Sequence, residues 1–156
     1  EHKRTYRMVK GEVPESEYTV PLGAADVKRD GADVSLITYG LMVHHCMEAA
    51  NELAGEGVDA EVVDLRTVRP LDKETMLESV KKTGKALIVH EDNKAGGIGA
   101  EVAAIISEEA FDHLDGPVTR LAGPEVPAMP FSPPLEDMFM INSAKIADAV
   151  RRLARY

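Results

Sequence analysis

Residues 62–72 read Val-Val-Asp-Leu-Arg-Thr-Val-Arg-Pro-Leu-Asp, and this stretch decides the fold class of the chain. Its first four residues form a short, mainly apolar run of the kind that is buried inside an α/β sheet. Pro70 prevents the strand from continuing, and Asp72 offers a side-chain oxygen to the free amides of a helix that begins at Lys73. The stretch therefore predicts a buried strand that leads directly into a capped helix.

Strands and helices alternate along most of the chain. Short apolar runs predict strands at residues 25–29, 34–39, 61–65, 86–90 and 118–121. Apolar residues at helical spacing predict helices from Met42 to a stop near Gly55 or Gly57, from Lys73 to Gly84, from Ile98 through Ile106, and around Ile146 and Val150. Repeated strand–helix units imply a mostly parallel sheet with helices on both faces.

Length and charge narrow the class of protein. The chain has 156 residues, typical of one domain, with a net charge of −9 and a pI of about 5.0. Nucleic acids and anionic membranes require a basic face, so this charge argues against either as a partner. Cys46 is the only cysteine, so no internal disulfide can form. No apolar run approaches the roughly 18 residues of a membrane span.

Two irregular segments flank the strand–helix region. Residues 1–23 are polar, and two prolines within eight residues disfavour helix, which predicts a linker or an arm lying on another surface. The proline-rich stretch around residues 128–131 is apolar and stiff. Such a segment either covers one face of the sheet or forms a contact surface, and the sequence leaves both open.

The glycine loop at residues 96–99 invites a nucleotide-binding hypothesis. It lies between a predicted strand and a predicted helix, where nucleotide folds place phosphates on free helix amides. The spacing falls short, however, because the third glycine of a GxGxxG motif would fall at Val102. We therefore prefer a structural role, in which the glycines allow a sharp turn and a close approach of helix to sheet.

Two further motifs contain residue types that can bind metal ions or act in catalysis. His44, His45 and Cys46 are consecutive, and successive helical side chains point about 100° apart, so the three cannot converge on one metal ion. His90-Glu91-Asp92 ends a strand at the carboxyl edge of the sheet, where open α/β folds bind ligands. No nucleophile or metal set can be named beside it. We favour a subunit contact or a hydrogen-bonded strand end there.

Several stretches together resemble one family. Residues 62–72, followed by Glu-Ser-Val-Lys-Lys-Thr-Gly-Lys-Ala-Leu-Ile-Val-His-Glu-Asp at 78–92, resemble the β subunit of the decarboxylating first component of 2-oxoacid dehydrogenase complexes. Arg-Leu-Ala-Gly-Pro-Glu-Val-Pro-Ala-Met-Pro at 120–130 is most similar to bacterial branched-chain members. Further stretches similar to the family lie at residues 4–7, 13–15, 18–23 and 37–44.

The resemblance implies the C-terminal, transketolase-type domain of that subunit. Residues 24–156 would form a three-layer α/β/α sandwich with a five-stranded, mostly parallel mixed sheet, and residues 1–23 would be the interdomain linker. The chain opens on Glu1 rather than Met, so we expect the cofactor-binding domain of the family to precede it in a longer protein.

The resemblance also implies an α2β2 enzyme that uses thiamine diphosphate and magnesium, in the bacterial cytoplasm or, in a eukaryote, the mitochondrial matrix. In that family the groups acting on cofactor and substrate belong to the upstream β domain, and the magnesium ligands belong to the α subunit. We therefore assign no catalytic, cofactor-binding or metal-binding residue here. The chain alone is expected to be inactive and to bind no cofactor.

The role implied for this domain is assembly. It would pair with the α subunit and a second β subunit, and dock the basic peripheral-subunit-binding domain of the dihydrolipoyl acyltransferase. Related subunits use an acidic residue before the last strand and the terminal carboxylate, and the matching positions are Asp115 and Tyr156. Asp115 is equally well explained as an ordinary residue of the turn at 114–117.

Alternative functions follow from the same residues. A pyruvate or acetoin dehydrogenase β subunit is the runner-up, because the substrate pocket would lie outside this chain. A free-standing, non-catalytic interaction module is the alternative of another class. A nucleotide-binding protein is the third, disfavoured by the glycine spacing.

Overall fold

The computed structural model describes residues 2–156, and its centre is a five-stranded mixed sheet. The strands are β1 (Asp26–Arg29), β2 (Val34–Thr38), β3 (Ala60–Asp64), β4 (Ala86–Asn93) and β5 (Thr119–Gly123). They lie in the order β1-β3-β2-β4-β5, in which β1 is antiparallel to β3 and the other neighbours are parallel. The predicted fold class is confirmed, and the predicted strand positions agree to within a few residues.

Helices cover both faces of this sheet. Within residues 2–156 they are α1 (Thr5–Met8), α2 (Met42–Ala54), α3 (Lys73–Thr83), α4 (Ile98–Glu109), α5 (Pro133–Phe139) and α6 (Ser143–Leu153). α2 and α6 share one core with Leu36 of β2, whereas α3 and α4 share the other with Ile37. Successive strand residues point to opposite faces, so one strand supplies both layers. None of these helices is long and apolar enough to cross a membrane.

The stretch that predicts the fold forms β3 and the capped helix α3. Asp72 Oδ1 accepts a hydrogen bond from Thr75 N at 3.1 Å, which closes the first turn of α3. Asp72 Oδ2 accepts another from Ala25 N at 2.9 Å, just before β1. The helix ends at Gly84, whose φ of +69° suits a left-handed C-terminal residue. A single carboxylate thus begins a helix and anchors the edge strand.

The structure departs from the sequence prediction in two short helices. α1 lies within residues 1–23, where the composition predicts none, but Pro14 and Pro21 both follow it and cannot interrupt it. α5 lies inside the proline-rich stretch. Pro133 and Pro134 occupy its first turn, where a missing N–H group removes no helical hydrogen bond. Neither helix contains a buried residue, so both lie outside the two cores.

Candidate functional site at the carboxyl edge of the sheet

The four parallel strands end at one edge of the sheet, and a cleft lies there. β3 and β4 flank β2 on opposite sides, so the chain changes direction beside β2, which is where open α/β folds place ligands. The cleft has a volume of about 370 Å³. Its lining comes from the ends of three strands and from the N-terminal segment, namely His2, Tyr39, Gly40, Arg66, Glu91 and Asp92.

The charged groups of this cleft are already engaged with one another or with neighbouring residues. His2 Nε2 lies 2.5 Å from Glu91 Oε2, so the N-terminal segment is fastened across the cleft. Arg66 Nη2 donates to Asp26 Oδ2 at 2.6 Å, and Arg66 itself has an unusual positive φ of 53°. Its backbone N donates to Asp64 Oδ1 at 3.0 Å, which holds this turn. These contacts therefore hold the charged side chains of the cleft in place.

The glycine loop packs against His90, which lies at the end of the buried part of β4. A Cβ built on Gly99 would lie 2.3 Å from His90 Nε2, and one on Gly97 would lie 2.3 Å from Asn93 O. Both glycines therefore serve close helix–sheet approach, as the sequence analysis prefers. Positive φ occurs instead at Gly96, where it is 76°.

The imidazole of His90 is buried in apolar surroundings. It has no exposed surface, it stacks on Tyr39 with ring centres 6.5 Å apart, and neither ring nitrogen has a hydrogen-bond partner among residues 2–156. Burial lowers the pKa of His90, against an opposing effect of Asp92 and with a contribution from Arg120 in the same direction. This enclosed imidazole packs the edge of the sheet.

The start of α4 does not fit a phosphate or a nucleotide. The space beside Gly97 and Gly99, where a phosphate would meet the start of α4, is filled by His90 and the backbone. Within residues 2–156 no three His, Cys, Asp or Glu side chains converge as metal ligands. No catalytic step is therefore assigned to this chain.

His44, His45 and Cys46 diverge on α2, as their spacing predicts. Cys46 has no exposed surface and packs between α2 and the sheet, while His44 is exposed and His45 is half-buried. Burial raises the pKa of Cys46 to about 12, although a hydrogen bond with Thr38 opposes the shift. The cysteine is a packed core residue.

Asp115 and Tyr156, the predicted partner-binding pair, lie on neighbouring turns. Asp115 is exposed, and its backbone N donates to Gly84 O at 2.7 Å. Tyr156 is 71% exposed, and a Cβ built on Gly116 would lie 3.1 Å from its Cβ. The turn at residues 114–117 therefore sits against the end of α6. Partner binding by this pair stays a prediction.

A groove beside Tyr156 is a feature that the sequence analysis did not predict. It follows the outer edge of β5, has a volume of about 470 Å³, and is lined by three cations, Lys94, Arg120 and Arg152. No ion pair within residues 2–156 involves these three. By contrast, Arg151 binds Glu52, Glu56 and Asp148, which ties α6 to α2. The sequence alone places Arg151 and Arg152 on one helix, but it does not show which of the two forms ion pairs.

The second missed feature is an apolar surface formed by residues 124–139, here called the proline-rich surface. It contains a hollow of about 410 Å³ whose lining is entirely apolar. Phe131 is 99% exposed and Met138 is 75% exposed, and α5 buries no residue. Of the two alternatives that the sequence left open, covering the sheet is wrong. The segment presents its apolar side chains to the outside.

The fold and its edge define a class first: an open α/β domain with one antiparallel edge strand. Residues 23–146 match the family model described as "Transketolase, C-terminal domain". The chain belongs to that family.

Relatives and a solved structure agree with this assignment. The chain is 56% identical to "2-oxoisovalerate dehydrogenase subunit beta" of Bacillus subtilis over all 156 residues, which is 48% of that relative. It is 47% identical to "Pyruvate dehydrogenase E1 component subunit beta" of the same organism, again over its whole length and 47% of the relative. A "Split gene transketolase, inactive beta4 tetramer" superimposes with a TM-score of 0.77 at 29% identity, over 93% of this chain and 46% of that one. The chain spans about half the length of each.

Proposed function

We propose that this chain is the C-terminal domain of the β subunit of a thiamine-diphosphate-dependent branched-chain 2-oxoacid dehydrogenase. The observation that carries the proposal is the identity of 56% to the 2-oxoisovalerate relative, against 47% to the pyruvate relative, each over the whole chain. The whole α2β2 enzyme would decarboxylate a 2-oxoacid oxidatively and transfer the acyl group to lipoyl. Residues 1–23 would link the domain to an upstream, cofactor-binding half.

The contribution of this domain would be assembly. Its described residues offer neither a metal set nor a phosphate cradle at the start of α4, so thiamine diphosphate and Mg²⁺ would be held by the upstream domain and the α subunit. The braced carboxyl edge supports a structural role, because its charges are already paired internally. The partners would be the α subunit, a second β subunit and the acyltransferase core.

Docking to the basic binding domain of the acyltransferase is proposed for Asp115 and the carboxylate of Tyr156. Both residues are exposed and lie on adjoining turns, and the net charge of −9 favours a basic partner. Lys94, Arg120 and Arg152 line the groove on one side of Tyr156 and would repel such a partner. The partner's arginines would therefore approach from the side of Asp115.

Calorimetric titration of the assembled α2β2 enzyme with the binding domain tests this docking. Asp115→Ala should weaken binding by roughly 1–3 kcal/mol, typical of a hydrogen-bonded charge at an interface, and deletion of Tyr156 should act likewise. Asp112→Ala is the matched control, because Asp112 is exposed three residues earlier and should leave affinity unchanged. Equal affinity in all three variants would remove the pair from the interface.

The substrate class needs a separate experiment, since pyruvate or acetoin dehydrogenase is the runner-up and a non-catalytic interaction module is the alternative of another class. The longer protein that contains this chain would be assembled with its α subunit and supplied with 2-oxoisovalerate, pyruvate or acetoin. Faster turnover of 2-oxoisovalerate than of the other two compounds supports the proposal. A preference for pyruvate or acetoin selects the runner-up, and no activity with any of them supports the module.

A further inference from the structure

We propose that the groove beside Tyr156 binds an organic diphosphate of the nucleoside diphosphate class, in which two linked phosphates are joined to a flat, uncharged ring system. The groove follows the outer edge of β5 and shares no lining residue with the cleft at the carboxyl edge of the sheet. It includes no residue of α4, so phosphate would be held here by side chains rather than by helix amides. The inference goes beyond the proposed function and does not rest on it.

The lining of this groove is positively charged in a chain that is acidic as a whole. The chain has 27 Asp and Glu residues against 18 Lys and Arg residues, yet the groove is lined by three cations, Lys94, Arg120 and Arg152, and by no Asp or Glu side chain. None of these cations forms an ion pair within residues 2–156. Cations gathered in one groove repel one another, and an anion bound among them removes this repulsion. The ligand should therefore be an anion.

Hydrogen bonds hold two of the cations at one end of the groove. Arg120 Nη1 donates to Lys94 O at 2.8 Å, and Lys94 N donates to Gly123 O at 3.2 Å. These bonds fasten the end of β4 to β5 and fix the guanidinium of Arg120 beside Lys94. A guanidinium has several N–H donors, of which this contact uses one, and its planar fork matches two oxygens of a phosphate or carboxylate. The arrangement is thus suited to an anion with several oxygens.

The amount of charge and the size of the groove favour two phosphates over one. A single phosphate ester carries about −1.5 to −2 charges at neutral pH, which leaves part of the charge of three cations unmatched. Two linked phosphates carry about three negative charges, which matches Lys94, Arg120 and Arg152. The volume of about 470 Å³ lies within the roughly 300–1,000 Å³ of small-molecule sites. The groove therefore has room for an organic group beside the phosphates.

The remaining lining is suited to a flat, uncharged ring. Leu121 and Leu153 provide apolar wall, and Tyr156 is 71% exposed, so a base can stack on its ring. Thiamine diphosphate has the same two phosphates but a cationic thiazolium ring, which three cations repel. No carboxylate side chain lines the groove to hold the metal ion of that cofactor. The groove should therefore prefer a nucleoside diphosphate to thiamine diphosphate.

Both ends of the groove are bounded, which favours a compact ligand over an extended acidic peptide. β5 is an edge strand, and such an edge can pair with a peptide strand. However, Tyr156 closes one end, since a Cβ built on Gly116 would lie 3.1 Å from its Cβ. Phe139 closes the other, because a Cβ built on Gly123 would lie 3.5 Å from its ring. A strand that extended past β5 would meet both side chains.

Calorimetric titration of the chain tests the inference, and the chain suffices because both hydrophobic cores are built from its own residues. The probes are ADP, adenosine, inorganic pyrophosphate, thiamine diphosphate and hexaglutamate, at low salt and without Mg²⁺, which would compete for the phosphates. ADP should bind about tenfold or more tightly than each of the others, because only ADP supplies both the diphosphate and an uncharged ring. Added salt should weaken its binding.

Substitutions then locate the site. Arg120→Gln and Arg152→Gln should each weaken ADP binding about tenfold or more, as expected for the loss of a hydrogen bond to a charged group. Lys81→Gln is the matched control, because it removes the same charge from an exposed position of α3, on the other face of the sheet, and should leave ADP binding unchanged. Circular dichroism checks that the variants are folded, and the exposed Arg152 keeps the test valid if Arg120→Gln unfolds.

The outcomes separate this inference from its alternatives. No binding of ADP, or equal binding by the chain and both arginine variants, overturns it. Pyrophosphate or thiamine diphosphate bound as tightly as ADP overturns it too, since the ring would then not be recognised. Hexaglutamate bound in place of ADP would assign the groove to an acidic peptide and overturn it as well. Failure of the substrate assay leaves it standing, because that assay tests the longer protein and not this groove.

Discussion

Two segments leave neighbouring parallel strands at the same edge of the sheet and behave in opposite ways. The glycine loop, residues 96–99, follows β4, and the proline-rich surface, residues 124–139, follows β5. The first lets α4 press against His90 so closely that a Cβ on Gly99 would lie 2.3 Å from the ring. The second leaves Phe131 99% exposed.

The difference follows from what each residue type permits. Glycine removes the Cβ and allows backbone to approach a side chain, so the loop closes one part of the edge. Proline fixes φ and withdraws a hydrogen-bond donor, so the second segment stands away from the sheet. The closed half of the edge serves the fold, and the open half leaves its apolar side chains exposed.

The largest expected effect on stability comes from substitutions in the glycine loop, the closed half of the edge. Gly99→Val should destabilise the domain by about 3 kcal/mol or more, because the new side chain overlaps His90 in a packed site. Gly97→Val should act likewise, through Asn93 O. Urea unfolding followed by circular dichroism measures this. Gly11→Val is the control, because nothing lies within 4 Å of its Cβ position. Similar stabilities for Gly99→Val and Gly11→Val would show that the loop is not tightly packed.

The enclosed imidazole should make stability depend on pH. Burial lowers the pKa of His90, so below the ordinary value of about 6.5 the unfolded chain takes up a proton that the folded chain resists. Stability should therefore fall as the pH drops below about 6.5, with a slope of up to about 1.4 kcal/mol per pH unit. Urea midpoints at neutral and mildly acidic pH measure it. His90→Gln should flatten the slope and the exposed His44→Gln should not; the reverse would locate the effect elsewhere.

Cys46 reports how well the core between the sheet and α2 and α6 excludes reagents from solvent. Cys46→Ala should cost about 1 kcal/mol through a small cavity, and the native thiol should react slowly with thiol reagents, since burial raises its pKa to about 12. A matched variant, Cys46→Ala with Ala54→Cys, moves the thiol to an exposed position of the same helix and should label fast. Equal labelling rates would mean that α2 opens readily.

The smallest effect on stability is expected in the proline-rich surface, the open half of the edge. Phe131→Ala should change the free energy of unfolding of the monomer by less than about 0.5 kcal/mol, because an exposed side chain loses no packing. A buried Phe→Ala change commonly costs about 3–5 kcal/mol. Chemical unfolding at high dilution gives the value. A cost near the buried range would place Phe131 in the core of the folded monomer.

Periodicity and capping predict most of this fold, because they act locally. The apolar run at residues 62–65 and the cap at Asp72 both take the predicted form. α5 escapes prediction because a proline-rich segment with two helical prolines resembles irregular chain. The groove of Lys94, Arg120 and Arg152 escapes too, because it joins residues from β5, α6 and the end of β4 that only the folded chain brings together. The family resemblance, by contrast, rests on order and spacing along the sequence.

Amide hydrogen exchange of the chain tests the central claim most directly, because it compares both halves of the edge in one sample. We predict slow exchange along α4, whose start packs against His90, and fast exchange within residues 124–139, where α5 buries no residue. Equal protection of the two segments would contradict the account.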